Sequence, residues 1–581
     1  MTDAPPPPLI GQPPIDQPGQ DAPAADDPLS EAMVAPPLVD RSDAPPSNAP
    51  KTQSLVRSSL IYSSMTLISR FLGFGRDLVV TSYMGASTTV AADAWNTALA
   101  FPNLFRRIFA EGAFAAAFVP AYSKSLATDG EEVADILAAD AMATLAAATI
   151  VLTLFAELTM PWLMMLISPG FVHDPAKYKL AVLLTQITMP YLPCMAIYAH
   201  LSGVLNARGK FMISAFAPAL LNVGTLIAVL PQKTPNGAAI AAAIGAVLSG
   251  VAQAALLWWG VNKSGARVDI RLPRLTPEIR GLIGLAIPGA IAASVTQINI
   301  FISNFLASFV NGARSWLSVA DRLYQLPLGL VGVAIGVALL PRLSTAVHRG
   351  DGEDAQEAMD EALVFAMALT LPAAAALVAM PFFLIDGLFT RGAFHLYDAD
   401  QTSKALFHYG WGTPAFVLAR ILSPNFFARK DTRSPMRFAL VSVAVNIILG
   451  IVLFHFFGFE GIAAATAAAA WLNVFQMTDA LAKRGHYMIS TEAMQRLAKI
   501  IVAALVMGLV LGVASWARPF YEHLVLRKEI ALALASALGV VVYFGLLIGL
   551  GAITPSEIRM ALRRRPKTVA ADDVGGGFDL G

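Results

Sequence analysis

Long apolar runs alternate with short polar connections marked by glycine and proline, and this rhythm holds from about residue 57 to about residue 553. Runs near 20 residues are what an α-helix needs to cross the hydrocarbon core of a bilayer. Fourteen such stretches can be drawn, near 57–84, 92–122, 136–168, 179–205, 211–231, 237–260, 280–308, 315–341, 358–388, 403–427, 436–457, 460–482, 497–517 and 530–553. The third and ninth run on into further apolar segments, PWLMMLI and PFFLIDGLF, which read as interfacial extensions. The pattern predicts an all-α polytopic membrane protein with 14 transmembrane helices.

The charges between the stretches support that count. With the N-terminus placed inside, the inside connections, flanks and tail hold 25 basic residues and the outside ones nine, Lys177, Arg314, Arg391, Arg518 and Lys528 among them. Lysine and arginine concentrate on the cytoplasmic side of membrane proteins, so both termini are expected in the cytoplasm. A repeat adds a second constraint. Asn206-Ala-Arg-Gly-Lys210 before the fifth stretch resembles Phe427-Ala-Arg-Lys-Asp431 before the eleventh, and Pro193 and Pro414 share the same offset of 221 residues. Six spans separate the copies. An even number preserves orientation, so the repeat is parallel, about an axis normal to the membrane. The expected organisation is two pseudo-symmetric six-helix lobes, 53–275 (spans 1–6) and 276–490 (spans 7–12), followed by two C-terminal helices in 491–556.

Composition bears on the ends and on cofactors. Residues 1–52 carry 14 prolines and eight acidic residues against one arginine and one lysine, a mixture that cannot bury enough apolar surface to fold. With no basic start and no apolar core, this segment reads as a disordered acidic tail rather than a signal peptide; residues 557–581 read as a basic, flexible cytoplasmic tail. A single cysteine, Cys194, and eight histidines without ligand spacing give no basis for expecting a disulfide, a metal or a cofactor.

Six arginines fall well inside the apolar stretches: Arg70, Arg76, Arg106, Arg107, Arg322 and Arg420. A guanidinium at mid-membrane costs at least ~2.5–3.5 kcal/mol, so it faces a cavity or a partner. At ~1.5 Å rise per residue, Arg70 lies near the middle of span 1, Arg76 roughly 9 Å further out, Arg106 near the middle of span 2 and Arg322 within span 8. Spans 2 and 8 are equivalent positions of the two lobes, so a central cavity between them would collect these groups. Acids accompany them: Asp77 beside Arg76, Asp93 opening span 2, Glu111 one turn past Arg107, and Asp321 beside Arg322. Ion pairs that only hold helices together remain an alternative for any one pair. Arginines converging from three spans point instead to a cationic cavity, and guanidinium groups bind phosphate in a bidentate way, which makes a diphosphate the natural ligand. Arg107 diverges by about 100° from Arg106 and pairs with an acid or lies in a helix interface; Arg420 is read as snorkelling toward the cytoplasm. Pro102 with Asn103, Pro120 and Pro341 are candidate kinks or hinges. No catalytic or metal constellation suggests an enzyme, and a drug or cation exporter would call for an acidic cavity.

Two long motifs, SSMTLISRFLGFGRD (63–77) and AFPNLFRRIFAEGAFAAAFVPAYSK (100–124), resemble the start of the MurJ (MviN) family of lipid II flippases, and WLSVADRLYQLPLGLVGVAIGVALLPRLS (316–344) resembles that family's eighth helix. The resemblance implies a member of the multidrug/oligosaccharidyl-lipid/polysaccharide exporter superfamily in a bacterial cytoplasmic membrane. The cargo it implies is lipid II, undecaprenyl-diphosphate bearing the peptidoglycan disaccharide-pentapeptide; another polyprenyl-diphosphate-linked oligosaccharide is the alternative. It also implies a monomer working beside the cell-wall synthesis machinery, with no nucleic-acid partner. The family's cavity arginines match Arg70, Arg76, Arg106 and Arg322, its functional polar positions in the second helix match Asp93, Asn103 and Glu111, and Ser315 matches a serine at the outer gate. Helices 13 and 14 would form a groove for the lipid tail. Gln325 departs from the pattern, standing where some relatives carry glutamate, and so does the long acidic tail.

Overall fold

A computed structural model describes residues 52–105, 114–334, 339–525 and 527–552, with side chains described over most of these stretches. The acidic tail, the C-terminal tail from residue 553, and Arg106, Arg107 and Glu111 lie outside the described residues. Every regular element among the described residues is a helix. In chain order these are α1 (Thr52–Met84), α2 (Ala91–Phe105), α3 (Phe114–Thr128), α4 (Glu131–Ile167), a 3-10 turn (Pro169–His173), α5 (Pro175–Thr188), α6 (Tyr191–Ala207), α7 (Phe211–Phe216), α8 (Pro218–Val229), α9 (Pro235–Lys263) and α10 (Pro277–Ala307). The second half holds α11 (Ala313–Ala334), α12 (Leu340–Arg349), α13 (Gly352–Ala379), α14 (Pro381–Phe389), α15 (Leu396–Ala428), α16 (Arg433–Phe457), α17 (Glu460–Lys483), α18 (Thr491–Val525) and α19 (Lys528–Gly549).

Each of the fourteen predicted stretches contains helix, and among the described residues eight helical stretches are long and apolar enough to cross a membrane. Some of the others carry polar groups that the fold places inward, such as Arg76 and Asp77 in α1 and Asn473 and Gln476 in α17. Large apolar side chains stand exposed in rows, with Leu158 in α4 78% accessible and Leu509 in α18 69%, as a surface against lipid requires. The chain is a multi-pass membrane protein. Two boundaries differ from expectation. PWLMMLI continues α4 without a break to Ile167, whereas PFFLIDGLF is a separate helix, α14, started by Pro381. The fourth stretch is split between α5 and α6 at Met189–Pro190, because proline cannot donate to the preceding turn.

Prolines inside helices free carbonyls in an apolar medium, where each unmet group costs heavily. Three are met by side chains from other helices. Pro102 frees the Ala98 carbonyl, and the Thr188 hydroxyl of α5 donates to it at 3.0 Å. Pro161 frees that of Glu157, which accepts from Gln186 Nε2 at 3.0 Å. Pro372 frees that of Ala368, which accepts from the buried Tyr543 hydroxyl of α19 at 2.7 Å. The Pro102 kink is thus pinned by its neighbour, and α19 is docked on α13 through the carbonyl that Pro372 leaves unmatched.

Buried apolar side chains from α1 to α10 form two clusters and those of the second half two more, while a further cluster gathers Phe74 and Leu78 of α1 and the buried Ala86 against residues of α10, α11, α14, α15 and α17. Several helix starts in the two halves are spaced 221 to 225 residues apart. The helices α4 and α13 open at 131 and 352, α7 and α16 at 211 and 433, and α9 and α17 at 235 and 460. Asp135, near the start of α4, accepts from Arg208 and from the Arg267 backbone N–H, and Asp360, near the start of α13, accepts from the Tyr487 hydroxyl.

Candidate functional site

Arg76 sits on the inward face of α1, 7% exposed, and Asp77 follows it. A buried guanidinium demands a partner, and Asp77 Oδ1 accepts from Arg76 Nε at 3.0 Å and Nη2 at 2.6 Å. The other oxygen, Oδ2, accepts from Nε of Arg322 on α11 at 3.0 Å. One carboxylate therefore serves two guanidiniums, one from each half of the chain, and leaves a surplus of positive charge. All three groups line one open pocket, with Asn96, Ser315 and Ser318 along its polar wall.

Deeper along α1, the exposed Arg70 lies over Gly329 of α11, and a β-carbon there would collide with the guanidinium. Arg420 of α15 is exposed, and Arg70 and Tyr324 lie within its electrostatic reach. Asp321 accepts from Gln325 Nε2 on the same helix. Asn103 turns its amide to the Leu99 carbonyl at 2.8 Å, back along its own helix. Of the four predicted cavity arginines, Arg76 and Arg322 are brought together and Arg70 is placed against the same helix as Arg322; Arg106 is not among the described residues.

At the end of the bundle expected to face outward, the halves are bolted together by polar groups. Asp93 of α2, fully buried, accepts from the Gly312 N–H at 2.8 Å, the Ser315 N–H at 3.1 Å and the Ser315 hydroxyl at 2.7 Å. It caps the N-terminus of α11 from another helix, where orphan N–H groups and the helix dipole favour an anion. Lys177 Nζ completes its shell at 2.9 Å and also donates to Asn311 Oδ1. Arg314 donates to the hydroxyls of Thr97 and Ser168, and it and Lys177 both lie near the Phe171 ring, at 5.9 and 5.2 Å. Of these two buried cations, Lys177 pairs with the carboxylate and Arg314 with hydroxyls, and both lie against one aromatic ring.

The expected outward loop charges Lys177 and Arg314 are both under 5% exposed and belong to the packed end of the bundle. Sequence reading missed them, and Asn311 and Asp398 with them, because a charge at the end of an apolar run looks the same whether water or another helix covers it. A basic residue on the side that normally lacks them was the available signal.

The comparisons fit this geometry. Residues 80–533 match the family model described as "Lipid II flippase MurJ". A probable lipid II flippase MurJ of Rhizobium meliloti (strain 1021) is 39% identical over 523 residues, covering 88% of this chain and 97% of that protein. The lipid II flippase MurJ of Burkholderia cenocepacia is 32% identical, covering 84% of this chain and 95% of that one. Among solved structures, a lipid II flippase MurJ in an inward closed conformation superposes with a TM-score of 0.70 at 24% identity, over 87% of this chain and all of that one. An inward-facing multidrug resistance transporter of the MATE family gives 0.56 at 15% identity, over 76% and 98%; these two speak for the fold. With its family model spanning most of the helical region and relatives matched almost end to end, the chain belongs to the MurJ family of lipid II flippases.

Proposed function

We propose that the chain carries lipid II from the cytoplasmic to the outer leaflet by alternating access, holding the diphosphate on Arg76, Arg322 and Arg70 while the polyprenyl tail stays in lipid. The observation that carries this reading is the shared Asp77: a carboxylate divided between guanidiniums of the two halves is a partner that an incoming diphosphate can displace. Phosphate oxygens offer each guanidinium a bidentate partner, and among the described residues lining the pocket Asp77 is the only carboxylate beside Arg76 and Arg322. The names of the relatives supply the cargo. Fourteen crossings in two six-helix lobes with α18 and α19 appended, both termini in the cytoplasm, are part of the proposal and follow from the loop charges and the repeat.

In this account the outer end is closed by Asp93 and its donors while the interior around Arg70 is open to the cytoplasm. Binding neutralises the arginines, the lobes close beneath the headgroup, and the outer bonds give way. Complementation tests the reading. A bacterium depleted of its own lipid II flippase should grow when the chain is expressed, and Arg76→Ala and Arg322→Ala, inserted to the same level, should fail to support growth. Growth with both variants would refute the arginine-held diphosphate; failure of the parent chain to support growth, with lipid II binding absent, would shift the cargo to another polyprenyl-diphosphate-linked oligosaccharide.

A further inference from the structure

Asp398 is the third residue of α15 and is fully buried. One oxygen, Oδ2, accepts from the His395 N–H at 3.1 Å, the return bond of an ordinary helix cap. Capping needs no more than that. The other oxygen, Oδ1, accepts three further bonds: the Ser87 N–H at 3.0 Å, the Ser87 hydroxyl at 2.6 Å and the Trp316 indole N–H at 3.0 Å. Ser87 belongs to the turn joining α1 to α2, and Trp316 to the first turn of α11. Around it the α14–α15 turn closes on the end of α1. The Ala393 N–H donates to the Ser82 carbonyl at 2.8 Å, and Gly392, at φ +56°, comes so near that carbonyl that a side chain would collide with it.

We propose that Asp398 is a positioning residue for transport, the second of two reciprocal carboxylates that hold the outer end shut. Asp93 reaches from the first half to the start of α11; Asp398 reaches from the second half to the turn after α1 and grips α11 one residue further on. The inference rests on the alternating-access reading above and names the group whose release that reading requires. All four donors to Asp398 are neutral. Parting the halves would strand a buried charge unless water arrives with the movement, so release and hydration of the outer end are one event. Because α11 also carries Arg322, whose partner is Asp77 on α1, the two carboxylates and the cavity arginine act on one helix.

The test uses the full chain in proteoliposomes, with Cys194→Ala and Thr81→Cys, a position lining the cavity beneath the bolted end. A membrane-impermeant thiol reagent is applied from the outer side. Asp398→Asn and Ser87→Ala should each raise the labelling rate by about tenfold, the worth of one charge-assisted hydrogen bond. Ser87→Ala leaves the α15 cap intact, so a purely structural role for Asp398 would lower thermal stability in Asp398→Asn and leave Ser87→Ala labelling at the parent rate; that result overturns the proposal. Should Asp398→Asn not fold, Ser87→Ala and Trp316→Phe decide by the same readings. Asp93→Asn separates the two failures: if it labels fast while the Asp398 and Ser87 variants do not, only this inference falls, and if none labels fast, the outward-opening reading falls with it.

Discussion

Asp77 divides two oxygens between two arginines, and its charge is what a substrate phosphate must compete with. In Asp77→Asn the shape remains and the competing charge is gone. A unit-charge pair at ~4 Å is worth about 4 kcal/mol at an effective dielectric of about 20; with about a third of that recovered, the variant should bind undecaprenyl-diphosphate about tenfold more tightly and flip it more slowly, the release step having lost its returning partner. Weaker binding, read by native mass spectrometry in detergent, would contradict this. A second residue answers to pH. Asp431, in the connection between α15 and α16, is opposed in ionising by its partial burial, but the Ser434 hydroxyl and N–H and the Arg484 guanidinium at 2.6 Å outweigh that and bring its pKa down to about 2. The depressed value means its contribution is in place above the ordinary aspartate range near 3.9 and is lost as pH falls from there through about 2. An exposed pair of this kind contributes ~0.2–1 kcal/mol; Asp431→Asn should remove that slope from the acid limb of a thermal-stability profile, and an unchanged limb would rule the pair out as its source.

Among elements, prolines and their rescuers tie the bundle together. Thr188→Val leaves the Ala98 carbonyl without its hydroxyl donor, and Tyr543→Phe does the same to Ala368. Interhelical bonds in membranes average ~0.6 kcal/mol and reach ~1.7, so each should lower stability within that range, with Tyr543→Phe loosening α18 and α19 in particular; hydrogen exchange confined to those two helices would show it. At this scale the sequence was readable. Where residues are described, helix falls within every expected stretch, since twenty apolar residues have few other fates in lipid. The interior arginines stood out for the same reason, as costly exceptions, and Arg76 and Arg322 do meet. Less readable was everything at helix ends. Whether Lys177, Arg314 and Asp398 meet water or protein depends on which ends touch, and that is settled by tertiary packing far from each residue in the chain.

For the whole molecule, the distribution of contacts is asymmetric. Carboxylates from both halves lock one end, and basic groups crowd the interior below it. An anionic headgroup moving from a negative interior gains about 2.3 kcal/mol per charge per 100 mV, so flipping in proteoliposomes should quicken under an inside-negative potential and slow when it is collapsed. A rate indifferent to potential would separate the charge of the cargo from the energy that moves it. The central claim is simpler than the cycle built on it: the arginines joined through Asp77 hold a diphosphate. The most direct measurement compares binding of undecaprenyl-diphosphate with that of uncharged polyprenol to the purified parent chain and to Arg76→Ala/Arg322→Ala. The account predicts that the parent prefers the diphosphate by at least about a hundredfold, two charge-assisted contacts at about 1.5 kcal/mol each, and that the double variant loses most of that preference. Equal preference in parent and variant would contradict it.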